Sequence, residues 1–206
     1  MTRDFSCGLS PTFPARAAAN SPSPLLSLPP LPPPQEMRDW DQAAVALGTP
    51  EMVLMENASR EACAVLRQCR GDLRGQRVLL FMGNGNNGGD AACLARHLLD
   101  AGALPLVLHT RPLSHCRGVT ARHVRLSRAC GVPFALLPRR DARPNSQGGL
   151  CWECVAGSEW RRSPVLVDGL LGTGFTGELR DSLAGLIRQI NTCRDHAFIL
   201  ALDVPS

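Results

Sequence analysis

Residues 83 to 90 read Gly-Asn-Gly-Asn-Asn-Gly-Gly-Asp, between the apolar run Val78-Leu79-Leu80-Phe81-Met82 and the helix-like stretch from Ala91 to Leu99. Strand, glycine-dense turn and helix in that order make a seat for an anionic ligand. Glycines let the backbone turn sharply and come close to the ligand, while the unpaired N–H groups of a helix start face negative charge. Such a unit belongs to a sheet whose strands are covered by helices, which narrows the fold before any other residue is considered.

The rest of the chain repeats the pattern. Short apolar runs at 77–82, 104–109, 133–137, 164–168 and 197–202 predict strands buried on both faces, and the stretches 88–101, 117–130 and 178–192 predict helices between them. In the last helix Leu179, Leu183, Leu186, Ile187 and Ile190 form one apolar stripe. Two helices precede the first strand. One starts near Gln35, with Met37, Trp40, Ala44 and Leu47 as its apolar face, and Gly48-Thr49-Pro50 stops it; the second runs from about Glu51 to Cys69. Strands alternating with helices imply parallel crossovers and a Rossmann-like three-layer α/β/α sandwich with a mostly parallel sheet. Residues 1–34, rich in Pro, Ser and Ala and ending Leu28-Pro29-Pro30-Leu31-Pro32-Pro33-Pro34, are expected to be a disordered leader, and 35–206 the folded domain. Residues 138–163 read as a loop or insertion.

Composition excludes several chemistries. The 206 residues contain no Tyr, and all 22 basic residues are Arg, so tyrosine acid/base catalysis, Schiff-base chemistry and a lysine-bearing P-loop are ruled out. The net charge is +4 with no basic block, so nucleic acid is not an expected partner. No stretch is long and apolar enough to span a bilayer and no signal peptide is evident, which points to a cytoplasmic protein. Nine cysteines fall mostly in apolar helix-like stretches; the lone Cys151-Trp152-Glu153-Cys154 has no second pair, and reduced thiols are the expectation.

In open parallel sheets ligands bind at the carboxyl ends of strands. Three segments fall there: Gly83–Asp90, the loop Asp168-Gly169-Leu170-Leu171-Gly172-Thr173-Gly174-Phe175-Thr176-Gly177, and Asp203-Val204-Pro205-Ser206. Gly83, Gly85 and Gly88 match G-x-G-x-x-G, so a nicotinamide oxidoreductase has to be weighed. That motif wants a carboxylate at the end of the second strand to hold the ribose, and Leu108-His109-Thr110-Arg111 has none. Arg111 leaves an NADP-dependent version open. Asn87, Asp168 and Ser206 offer hard oxygen ligands with a single carboxylate, a set suited to a large monovalent or weakly held divalent cation. A nucleotide-binding module without turnover would use the same rim.

Leu54-Met55-Glu56-Asn57-Ala58, Gly85-Asn86-Asn87-Gly88-Gly89-Asp90, Val167-Asp168-Gly169-Leu170-Leu171-Gly172-Thr173-Gly174 and Leu202-Asp203-Val204-Pro205-Ser206 resemble, in order, the motifs of the NAD(P)H-hydrate epimerases, which carry the YjeF N-terminal domain. The resemblance covers roughly residue 35 to the end. It implies interconversion of the R and S epimers of NADHX and NADPHX, nicotinamide cofactors hydrated at C6, in cofactor repair with a dehydratase that accepts only the S form. By motif it implies substrate contacts at Asn86, Asn87, Gly88, Gly89, Asp90, Gly172, Thr173, Gly174, Phe175, Thr176, Gly177, Glu178 and Asp203. It also implies a potassium ion on Asn87, Asp168 and Ser206. Many bacterial members continue into a dehydratase domain and homodimers are common, so a fused or separate dehydratase and a homodimer are further expectations. Three positions depart from the family. Ala91 and Ser59 stand where Gly is usual, Ala91 placing a Cβ that is expected to crowd the helix start, and Asn84 stands where Pro is common. Because the chain stops inside the last motif, the sheet is expected to be cut short at its C-terminal end.

Epimerisation at C6 breaks and remakes a bond at a carbon bearing nitrogen and hydroxyl, so it needs proton delivery and a tolerated positive charge. A carboxylate serves both, and Asp203 is the expected acid/base. Glu56 and Arg60, four apart on the second helix, read as an exposed ion pair worth ~0.3–0.5 kcal/mol, while the resemblance leaves open a position near the pocket. His97, His109, His115, His123 and His196 share no spacing that predicts a triad or a metal site.

Overall fold

The computed structural model describes residues 32–138, 150, 152 and 165–206. The leader up to residue 31, most of 138–163, and Cys7, Cys151 and Cys154 lie outside the described residues. The elements run α1 Pro34–Ala46, α2 Glu51–Arg70, β1 Arg77–Met82, α3 Asn86–Asp100, β2 Leu104–His109, α4 Gly118–Ala129, β3 Phe134–Leu136, β4 Val165–Gly169, α5 Asp181–Asn191 and β5 Phe198–Ala201.

The five strands form one sheet in the order β3-β2-β1-β4-β5, every pair parallel. Side chains alternate across β1. Val78, Leu80 and Met82 meet Leu94, Leu98, Val124, Cys63 and Leu66 of α3, α4 and α2 on one face. On the other, Leu79 and Phe81 meet Leu186, Ile187 and Ile190 of α5. The three-layer α/β/α architecture predicted from the apolar runs is therefore present. Trp152 is buried in the α5-side core, edge-on to Phe81 with ring centroids 6.2 Å apart.

Connections leaving β1 go towards β2 and β3, whereas β4 lies on β1's other side. The carboxyl ends of β1 and β4 thus flank a crevice where strand order reverses, the place where doubly wound sheets bind ligands. Among the described residues no helix is long and apolar enough to cross a membrane.

Several local expectations are corrected. The helix after β1 begins at Asn86, two residues earlier than predicted, so Gly88 and Gly89 sit inside its first turn. Conversely, α5 begins only at Asp181, after Gly177 at φ 101°, which leaves Leu179 exposed ahead of the helix. α1 starts at Pro34, a residue whose fixed φ and missing N–H suit a first helical position. Its predicted apolar face is not buried: Trp40 is 55% and Leu47 89% exposed. Helical spacing alone could not show that Met37, Trp40 and Leu47 stay exposed.

Candidate functional site at the β1/β4 crevice

The glycine turn passes directly into α3, whose N-cap Gly85 supplies no side-chain cap. The first-turn N–H groups therefore have no acceptor within the helix. Close packing fixes their direction. Gly83 donates its N–H to the Gly169 carbonyl at 3.0 Å, and a Cβ on Gly88 would collide with the Gly83 carbonyl oxygen. The turn is locked to the β4 loop by backbone, which explains why glycines recur there.

Asp168, the last residue but one of β4, is buried beneath the crevice. Its Oδ1 accepts hydrogen bonds from the Leu170 N–H at 3.2 Å and the Ser206 hydroxyl at 2.9 Å, and its Oδ2 accepts from the Ser206 N–H at 3.0 Å. Leu171 N–H donates in turn to the Ser206 hydroxyl at 3.1 Å. Asn87 gives its amide N–H to the Leu171 carbonyl, while its Oδ1 is buried with no hydrogen-bond partner. Asn87, Asp168 and Ser206 are thus brought together. An orphaned amide oxygen beside a buried carboxylate and a hydroxyl fits a hard cation, which these three residues could hold.

Asp203 follows β5 at φ 61°, a left-handed conformation that Asp adopts more readily than most side chains. Its Oδ2 accepts from the Thr173 N–H at 2.6 Å and the Thr173 hydroxyl at 3.0 Å. Gly172 fills the space between two parts of the site: a Cβ there would stand 2.5 Å from Asp203 Oδ2 and 3.2 Å from Asn87 Cβ. Asn87, Asp168, Gly172, Thr173, Asp203 and Ser206 therefore meet at one rim. Gly88 and Gly89 are buried beneath it and Asn86 is exposed at the helix start; Gly174 to Glu178 run on along an exposed loop, with Phe175 closing a turn on Gly172.

Asp90 is half-buried one turn into α3. Burial, followed by the nearby Asp203 and Asp41 carboxylates, pushes its pKa up to about 7. Asp41 comes from α1, as does Arg38, whose guanidinium donates to the Thr173 carbonyl at 3.4 Å. Neither was found by the sequence reading, because the helical pattern of α1 drew attention to its apolar face and away from this polar one.

Two further expectations change. The Ala91 side chain does not crowd the helix start. It is fully buried against Gly169, where a second Cβ would be only 2.7 Å away, so the neighbour's missing side chain makes the room. Ser59, the other departure, donates to the Asp90 carbonyl at 3.1 Å and ties α2 to α3. Glu56 does not pair with Arg60, which lies 3.6 Å from Glu61 at the surface. It pairs instead with Arg96 and, at 2.9 Å, with His97. Burial alone would raise the Glu56 pKa, but hydrogen bonds from Arg96 and Cys93 and the charges of Arg96 and His97 outweigh it and hold the carboxyl below its usual range.

Residues 51–206 match the family model described as YjeF-related protein N-terminus. A relative named NAD(P)H-hydrate epimerase from Rhodopirellula baltica is 30% identical over 184 residues, which is 89% of this chain and 67% of that protein. A relative named bifunctional NAD(P)H-hydrate repair enzyme Nnr, from Moorella thermoacetica, is 33% identical over 159 residues, 76% of this chain but only 28% of that protein. The chain thus spans about two thirds of one and under a third of the other. Among solved structures, yeast ynu0 aligns with a TM-score of 0.65 and 25% identity, covering 84% of this chain and 69% of that one.

Proposed function

This chain belongs to the YjeF-related N-terminal family, and we propose that it epimerises the R and S forms of NADHX and NADPHX, so that an S-specific dehydratase, fused or separate, can complete cofactor repair in the cytoplasm. Relatives bearing the names epimerase and hydrate repair enzyme support this reading. The observation that carries it is the meeting of three loops, distant in sequence, at the β1/β4 crevice, with Gly172 packed between Asn87 and Asp203.

In this reading the substrate diphosphate lies against the N–H groups of the α3 start, and Gly172 to Glu178 line the nucleotide from the opposite loop. Asn87, Asp168 and Ser206 would hold a potassium ion, whose fixed positive charge would order the crevice beside the diphosphate. Asp203, oriented by its two hydrogen bonds from Thr173, faces the C6 centre and works on the hydroxyl proton as acid/base. Removing that proton opens the C6–N1 bond, whose electron pair goes to nitrogen and leaves C6 as a carbonyl carbon; the nitrogen closes again on the carbonyl's other face, and Asp90, which keeps a proton close to neutral pH, returns one to the oxygen. A carboxyl poised near the working pH suits transfer in both directions, as a reversible epimerisation requires.

The test is to incubate the chain with mixed NADHX epimers and an S-specific dehydratase. Complete conversion to NADH is expected, whereas the dehydratase alone stops once the S form is consumed. Replacing potassium with a large organic cation should slow the epimerisation. Conversion no further than with the dehydratase alone, with substrate still bound, would leave a binding module in place of an enzyme.

A further inference from the structure

Behind the rim, α2, α3 and α4 enclose a second group of polar side chains that the proposed reaction does not use. Cys93 and His97 stand four residues apart on α3 and share a face. Glu56 reaches them from α2. The Cys93 sulfur, a His97 ring nitrogen and a Glu56 carboxylate oxygen all lie within 4.8 Å of one another. Cys93 Sγ is 3.3 Å from Glu56 Oε2, and His97 Nε2 is 2.9 Å from Glu56 Oε1. Tetrahedral zinc, with bonds of ~2.0–2.3 Å, holds its ligand atoms roughly 3.3–3.7 Å apart, close to this spacing.

An independent observation comes from α4. The His123 ring is completely buried, with Nδ1 3.9 Å from Glu56 Oε2, yet neither of its nitrogens has a hydrogen-bond partner. The Met52 carbonyl stands beside the ring as a backbone acceptor. A metal-bound ring commonly uses such a carbonyl as its outer partner, which leaves the other nitrogen for the ion.

We propose that Glu56, Cys93, His97 and His123 form a site for a zinc-class divalent cation that ties α2, α3 and α4 together. Thiol and imidazole ligands select such an ion over potassium, which keeps this site distinct from the oxygen-lined rim. A thiolate and a carboxylate neutralise the ion's charge, and Arg96, which donates to Glu56 and lies 3.6 Å from Cys93 Sγ, stays as an outer partner. A thiolate ligand forms only by loss of the Cys93 proton, so binding releases acid. Because Ser59 on the same face of α2 holds the Asp90 carbonyl, the ion also fastens the start of α3.

The experiment uses the full chain carrying Cys151→Ser and Cys154→Ser, which remove a competing pair of thiols, and titrates it with cobalt(II) alone. One equivalent with a thiolate-to-cobalt charge-transfer band, displaced by zinc, is expected. Cys93→Ser should abolish the band, and His123→Gln should weaken binding by at least ~10-fold. If Cys93→Ser does not fold, Cys93→Ala gives the same reading. No binding to the Cys151/Cys154-free chain, a band that survives loss of Cys93, or undiminished affinity in His123→Gln would each overturn the proposal.

Discussion

Helix α3 carries two polar groupings that differ in what assembles them. At its first turn, backbone sets the geometry: Gly88 lies against Gly83, Gly83 is bonded to Gly169, and Gly172 wedges between Asn87 and Asp203. Two turns further on, side chains do the work, with Glu56 gathering Arg96, His97 and Cys93 from the next helix. A backbone-built site has no slack, since nothing but a missing Cβ makes the approach possible. A side-chain-built site can repack. The same helix should thus respond very differently to changes at its two levels.

The largest effect should come from Gly88→Ala. Its Cβ meets a carbonyl that cannot move without displacing the Gly83 turn, so a loss of ~3 kcal/mol or more, or failure to fold, is expected in a urea melt. A variant as stable as the parent would break the contrast at once. Next is Asp203→Asn, which should lower kcat for epimerisation by ~10²–10⁴ and leave KM nearly unchanged. Near-normal turnover would remove Asp203 from the chemistry.

The third prediction concerns pH. The Asp90 pKa is raised from 3.8 in the unfolded chain to about 7 in the fold. Its contribution to stability is therefore fully present below pH ~4, and it is lost as pH rises through about 7. Asp90→Asn should consequently be more stable than the parent at pH 8, by ~1–3 kcal/mol, and should lose that advantage at pH 4. Thermal melts at the two pH values check the sign.

The smallest effects belong to the helix cluster. Glu56→Gln weakens the attachment of Arg96 and His97 and should cost ~1–2 kcal/mol. Arg60→Ala, at a surface pair, should stay within ~0.5 kcal/mol. Equal effects from the two would restore the pairing that helical spacing suggested.

Glu56 shows where sequence reading fails. Its i, i+4 neighbour is visible in one dimension; the competing Arg96, 40 residues away, depends on how α2 lies across α3. Ala91 fails in the same way, because only the register of β4 puts Gly169 opposite its methyl. Asp90 could be named as a site residue from its motif, but not given a pKa, since burial and the carboxylates of α1 and the β5 end set it.

The sequence by itself determined the alternation of buried strands and helices, the glycine-bearing loops and the set of oxygen-bearing residues at the strand ends. Those features follow from hydrophobic period and from side-chain size, which are properties of neighbours along the chain. Tertiary structure alone decided that Asn87 gives its N–H to Leu171 and keeps an unpaired buried oxygen, that Trp40 on α1 stays exposed, and that Glu56 and His123 meet across two helices. Each of those depends on which surfaces close on one another, and local preference carries no record of that.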